Sequence, residues 1–149
     1  MIWFVAFIFL MLAYLAWRTL RPTLATRSVE RALQQFERNR KALEAEFFKA
    51  ASSSGKPRGL AWKQCAFQPG VTLARDRSNG DIVGLVGVTI SFEAVAGGGM
   101  EDVEAVGNLR AATAVFTFDG RAWSTLGRVI FNLEPQDALK QFKDSLDPI

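Results

Sequence analysis

VTLARDRSNGDIVGLVGVTISFEAV, residues 71–95, sets two β-prone runs on either side of an Asn79-Gly80 pair. Alternation at a period of two marks a strand, and Asn-Gly is favoured in two-residue hairpin turns because both central positions take positive φ. The stretch therefore predicts an antiparallel hairpin, 71–76 against 82–95. On its long arm Ile82, Val86, Val88, Ile90 and Phe92 share a face with Gly84 and are expected in the core. Val83, Leu85, Gly87, Thr89, Ser91 and Glu93 share the other face, which turns polar toward its end.

Working outward, LAWKQCAF at 60–67 alternates Leu60, Trp62, Gln64 and Ala66 against Ala61, Lys63, Cys65 and Phe67. AATAVFTFD at 111–119 sets Ala112, Ala114, Phe116 and Phe118 inward, then turns at Asp119-Gly120 into RAWSTLGRVIFNL, where Gly127 suggests a bulge. Four to five hairpin-connected strands over 60–133 predict an antiparallel sheet. Upstream, 28–50 is rich in helix formers, with Val29, Leu33, Phe36, Leu43 and Phe47 on one face and Arg40 in the same seam. Residues 51–59, ASSSGKPRG, read as a linker that lets this amphipathic helix fold back on the sheet. Pro135, Asp137, Lys140 and Lys143 frame a short C-terminal helix over 134–147, with Leu139, Phe142 and Leu146 on one stripe. The fold class is α+β, one amphipathic helix across an antiparallel sheet, forming a domain over 28–149. In this layout alone it resembles the cystatin and NTF2-like rolls, and such a layout implies no function.

Residues 1–17, MIWFVAFIFLMLAYLAW, carry no charge, and with Thr19 and Leu20 they approach the length that crosses the ~30 Å hydrocarbon layer. A transmembrane anchor over 1–20 is expected, with Trp3, Tyr14 and Trp17 in the interfacial belts. No basic residue precedes Arg18, and Trp17-Arg18 forms a stop-like border, which favours an uncleaved anchor over a secretory signal. Arg18, Arg21 and Arg27 form a basic juxtamembrane segment over 21–27 and its border, where Pro22 is expected to break the helical run. These arginines place the carboxyl-terminal domain on the cytoplasmic side, at the inner membrane if the source is bacterial. The single Cys65 agrees with a reducing compartment.

Among 149 residues there is no His and one Cys, which excludes Ser-His-Asp and Cys-His catalysis, Cys/His zinc sites and an internal disulfide within the chain. No catalytic, cofactor or metal residues are assigned. Glu93 or Asp76 as a general base, with Arg40 or Arg110 holding an anion, is the enzyme reading; a charged turn and an outward strand residue explain the same side chains more simply. Cys65 reads as a small buried hydrophobe, and Trp62 and Trp123 as core. The connection 96–110, AGGGMEDVEAVGNLR, is the longest irregular one, and Met100, Glu101, Asp102 and Glu104 make it the candidate partner-binding loop. Its glycines lack the Lys that a phosphate cradle needs, and its acids match no calcium-loop spacing.

The net charge of +3 divides into +4 for residues 1–50, with 8 basic and 4 acidic side chains, and −1 for 51–149, with 10 and 11. The basic excess belongs to the membrane-proximal half, so no nucleic-acid partner is expected. The expected function is a single-pass membrane protein that presents an α+β module at the cytoplasmic face for protein interaction or assembly. Its partners would be the bilayer, a protein, and a second copy through 28–50. The alternative is a small-ligand-binding roll with a pocket between helix and sheet.

Overall fold

The computed structural model describes residues 2–54 and 59–149; along the first helix, side chains are described for 7–17 and 26–54. In chain order the elements are α1 (Ile2–Ser54), β1 (Leu60–Phe67), β2 (Thr72–Asp76) and β3 (Ile82–Ala94). A 3-10 turn (Glu104–Gly107), β4 (Arg110–Phe118), β5 (Trp123–Ser124), β6 (Val129–Phe131), α2 (Pro135–Gln141) and β7 (Leu146–Pro148) follow. The strands form one antiparallel sheet in the order β5-β4-β3-β2-β7. The 13-residue β3 is the spine: β2 pairs with its first part, Ile82 to Leu85, and β1 with its second, Val88 to Ala94. On the far side of β4, β5 and β6 divide its length in the same way.

The α+β class and the antiparallel sheet are as read from the sequence, but seven strands replace four to five. Two causes account for the difference. The last expected strand divides around 125–128, where Thr125 Oγ1 donates to Val115 O at 2.9 Å and Gly127 N donates to Thr125 Oγ1 at 3.1 Å, so the chain leaves the ladder and rejoins it. The second is β7, whose Leu146 pairs with Asp76 as a strand residue and so leaves the expected helical stripe. α2 ends where Phe142 N donates to Ala138 O, and the chain then satisfies the open edge of β2, which would otherwise present unpaired backbone groups.

α1 differs more. It runs as one helix of 53 residues through Pro22, where a break is expected, and on to Ser54, past the expected end at Ala50. A proline removes one donor and crowds one carbonyl, and the helix formers on either side carry the run past that single loss. At the other end Ser52 Oγ donates to Lys49 O, and Ser53 and Ser54 Oγ donate to Ala50 O at 2.9 and 2.8 Å. These hydroxyls bond back to carbonyls three and four residues earlier in the last turn, a local side-chain bond that serine forms readily near a helix end. Among the described residues no helix is long and apolar enough to cross a membrane.

The core lies between α1 and one face of the sheet. Phe36 packs edge-on against Phe116 and Trp123 with centroids 5.4 and 5.0 Å away, and Phe47 meets Phe67 and Phe116 at 5.6 Å. Each such buried side chain contributes about 1.5–3 kcal/mol. Ile82, Val86, Val88, Ile90 and Phe92 lie on this face as expected, as do Ala112, Ala114, Phe116 and Phe118. Trp62 and Trp123 complete it, and Trp123 Nε1 donates to Ala32 O at 2.7 Å, tying sheet to helix.

The strict alternation read over 60–67 fails at one point. A register shift between Trp62 and Gln64 makes room for Lys63, so Leu60 and Trp62 before it and Cys65 and Phe67 after it all pack on the core. A bulge inserts one unpaired residue and resets which side chains face inward. The opposite sheet face is also covered: Val83 and Leu85 form a second cluster with Ala138 of α2. Nor does the 77–80 turn take the two-residue form, because Gly80 has φ 81° while Asn79 is absent from the positive-φ residues. Asp76 N donates to Asp81 O and Gly80 N to Asp76 O, which is a longer loop with one left-handed residue.

Candidate functional site

Of the expected membrane-interface residues, Tyr14, Trp17 and Arg27 are exposed on α1, whereas the side chains of Trp3, Arg18 and Arg21 lie outside the described residues. Phe7, Phe9, Leu10, Met11 and Leu12 are exposed as well, on a segment that the sheet domain does not cover. From Ala32 to Ala51 the same helix buries Ala32, Phe36, Leu43, Phe47 and Ala51. The face that a dimer through 28–50 would use is therefore occupied by the chain's own sheet.

Arg40, placed in the helix seam by the sequence, is a fastener. Its Nε donates to Glu44 Oε1 at 2.9 Å, one terminal nitrogen reaches Glu37 at 3.3 Å, and the other donates to Gln68 O at 2.5 Å. Its guanidinium also lies 5.8 Å from the Phe36 ring centroid. These bonds fix α1 to the link between β1 and β2, which leaves Arg40 committed to structure rather than to an anion. Glu93 is exposed on β3 opposite Ala61 and is not among the partners of Arg40, and Arg110 opens β4 at an exposed position.

The candidate partner loop leaves β3 at Ala94 and returns at Arg110. Gly98 lies against the backbone of Gly59 so closely that a Cβ there would overlap it, and Val95 N donates to Gly59 O at 2.9 Å. Gly98 therefore serves close chain approach, whereas Gly97 and Gly99 supply positive φ at 78° and 74°. Met100 is half-buried and lines a cavity of about 260 Å³ with Leu60, Phe92, Val103 and Phe131. Glu101 folds back to accept from Gly97 N, and backbone N–H groups of Glu101 itself and Gly97 hold its carboxyl below the usual range. Asp102 and Glu104 are exposed. The loop thus brings Met100, Val103, Ala105 and Val106 to a cavity and leaves its three acids exposed. Among the described residues no group of three metal-ligating side chains occurs.

Cys65 is half-buried beside the core, and desolvation, then the Glu44 charge, push its thiol up to about 12. A thiol held protonated is a poor nucleophile.

The largest described concavity lies on the sheet face away from α1, about 580 Å³ between the sheet and the segment joining α2 to β7. Val83, Leu85, Val115 and Ile130 form its floor, and Phe142 and Leu146 its wall. On the β2 side Arg77 binds Asp147 Oδ1 through Nε at 2.9 Å and Nη2 at 2.5 Å, and the charge of Asp144 also acts on it. Asp76 borders the same side; donation from the Ser78 hydroxyl at 2.6 Å, then from Ser78 N at 2.8 Å, lowers its pKa. On the β6 side Arg128 stands 5.9 Å from the Phe142 centroid and makes no ion pair with a described residue. Sequence reading placed Asp76 in a charged turn and missed Arg128, Phe142 and Asp144 as its neighbours around one cavity. The hidden signal was the run of residues after Phe142, which leaves the helix to lie beside β2.

No known protein family, curated protein or solved structure matches the chain.

Proposed function

We propose that the chain is a single-pass membrane protein whose α+β domain is held at the cytoplasmic face for protein interaction or assembly. The observation that supports this reading is the division of α1. Its 7–17 segment exposes Phe7, Ile8, Phe9, Leu10, Met11, Leu12 and Leu15, whereas its 32–51 segment buries its apolar side chains on the sheet. Leaving a large apolar side chain in water forfeits about 1.5–3 kcal/mol relative to burying it, so a contiguous exposed set calls for apolar surroundings. The uncharged run over 1–17 and the arginines that follow it fit a bilayer with the domain on the positive side. The test is extraction of the expressed chain from membranes at high pH, joined to a carboxyl-terminal reporter that is active only outside the cytoplasm. Retention in the membrane with a silent reporter is the expected outcome; release into the supernatant overturns the anchor, and an active reporter overturns the orientation.

A second reading, binding of a small ligand, draws on the outer-face cavity rather than on the helix–sheet seam, which is filled by Phe36, Phe47, Phe116 and Trp123.

A further inference from the structure

We infer that the outer-face cavity takes a small zwitterion with an apolar body, of the size of a hydrophobic dipeptide, with its carboxylate at Arg128 and its ammonium at the Asp76–Asp144 side. This rests on the second, ligand-binding reading and does not depend on the anchor. The cavity volume of about 580 Å³ lies within the roughly 300–1,000 Å³ usual for small-molecule sites. Its apolar lining calls for an apolar body: Val83 and Leu85 are buried in the cluster with Ala138, while Val115, Ile130, Phe142 and Leu146 are only half-buried where they line the cavity. A ligand that covers those half-buried side chains removes further apolar surface from water.

Charge decides the rest. On the β2 side one guanidinium, Arg77, is already held by Asp147 and faces Asp144 and Asp76 as well, so that side carries an excess of carboxylate. On the β6 side Arg128 is a cation with no described carboxylate within ion-pair distance, and its position over Phe142 holds it at the cavity wall. An anionic ligand would meet repulsion at one side and a cationic ligand at the other. A molecule bearing both charges on an apolar frame satisfies the two together, through charge-assisted hydrogen bonds at each end.

The experiment uses the full chain in detergent micelles with labelled methyl groups, titrated with leucylleucine, its N-acetyl derivative, and the N-acetyl amide in which both charges are removed. Leucylleucine is expected to shift the methyl signals of Val83, Leu85, Val115 and Ile130 saturably, and the doubly blocked compound to bind at least tenfold more weakly. Arg128→Gln should weaken leucylleucine and the N-acetyl compound alike; Asp144→Asn should weaken only the compound with a free amine. Both substitutions are at exposed positions and leave the core intact. Equal binding of the blocked and free compounds, or unchanged affinity in both variants, overturns the zwitterion while leaving a ligand site. Absence of shifts with all three compounds overturns the site itself.

Discussion

Gly127 has φ 71°, and a Cβ on it would overlap the backbone of Ala50 and Ala51, so two independent constraints demand glycine where the sheet meets the end of α1. Gly127→Ala must strain the backbone and push α1 outward, at a cost of about 3 kcal/mol, read as a lowered urea midpoint of the full chain in mild detergent. Cys65 gives a pH-dependent prediction. Its thiol is raised from 9.0 to about 12, chiefly by burial, so the folded chain keeps the proton while the unfolded chain loses it. Stability from this group is therefore complete below about pH 9 and is lost progressively as pH rises toward 12. At pH 8 the native chain should alkylate far more slowly than the denatured chain, which mass spectrometry after timed quenching would measure; equal rates would refute the burial. Arg40 holds α1 through the Gln68 carbonyl and two glutamates, and Arg40→Ala should lower stability by about 1–2 kcal/mol in the same urea assay.

Among the elements, β1 carries the clearest lesson in what a sequence displays. Its residue types announce a strand, but the alternation alone cannot show that Lys63 is an inserted residue, because bulges are fixed by the partner strand's register. Deleting Lys63 should make Trp62 and Gln64 consecutive opposite Phe92 and Ser91, with Leu60, Trp62, Cys65 and Phe67 all still facing α1, so tryptophan emission of the folded chain should stay unshifted; a red shift would show that the bulge is needed to seat Trp62. The hairpin over 71–95 and the inward face of β4 were legible because a period of two persists through them and the buried side is uniformly apolar. β7 was not legible: Leu146, Asp147 and Pro148 have no strand pattern of their own and become a strand only because β2 offers an open edge. The outer-face cavity was hidden for the same reason, since Arg128, Phe142 and Asp144 meet only after the tail has paired. Met100 was singled out from the loop, and it does reach a cavity, whereas its acidic neighbours stay at the surface.

At the scale of the whole molecule, among the described residues the domain's apolar core draws on α1 only from Val29 onward. A fragment beginning at Ser28 should therefore fold with an unfolding midpoint close to that of the full chain; a large drop would mean that the first turns contribute to the core. In the full chain, however, no loop separates those turns from the domain. Trp17 and Ala32 lie on one helix, with a separation of about 22 Å along its axis. The helix therefore sets an azimuth as well as a height. Each residue added between them turns the sheet by about 100° and lifts it about 1.5 Å. Adding two residues would swing the outer face to nearly the opposite side, whereas adding seven would return it to within about 20° while raising it about 10 Å. Any partner fixed relative to the first turns would thus meet a face of the domain chosen by residue count, through screw geometry rather than through contact.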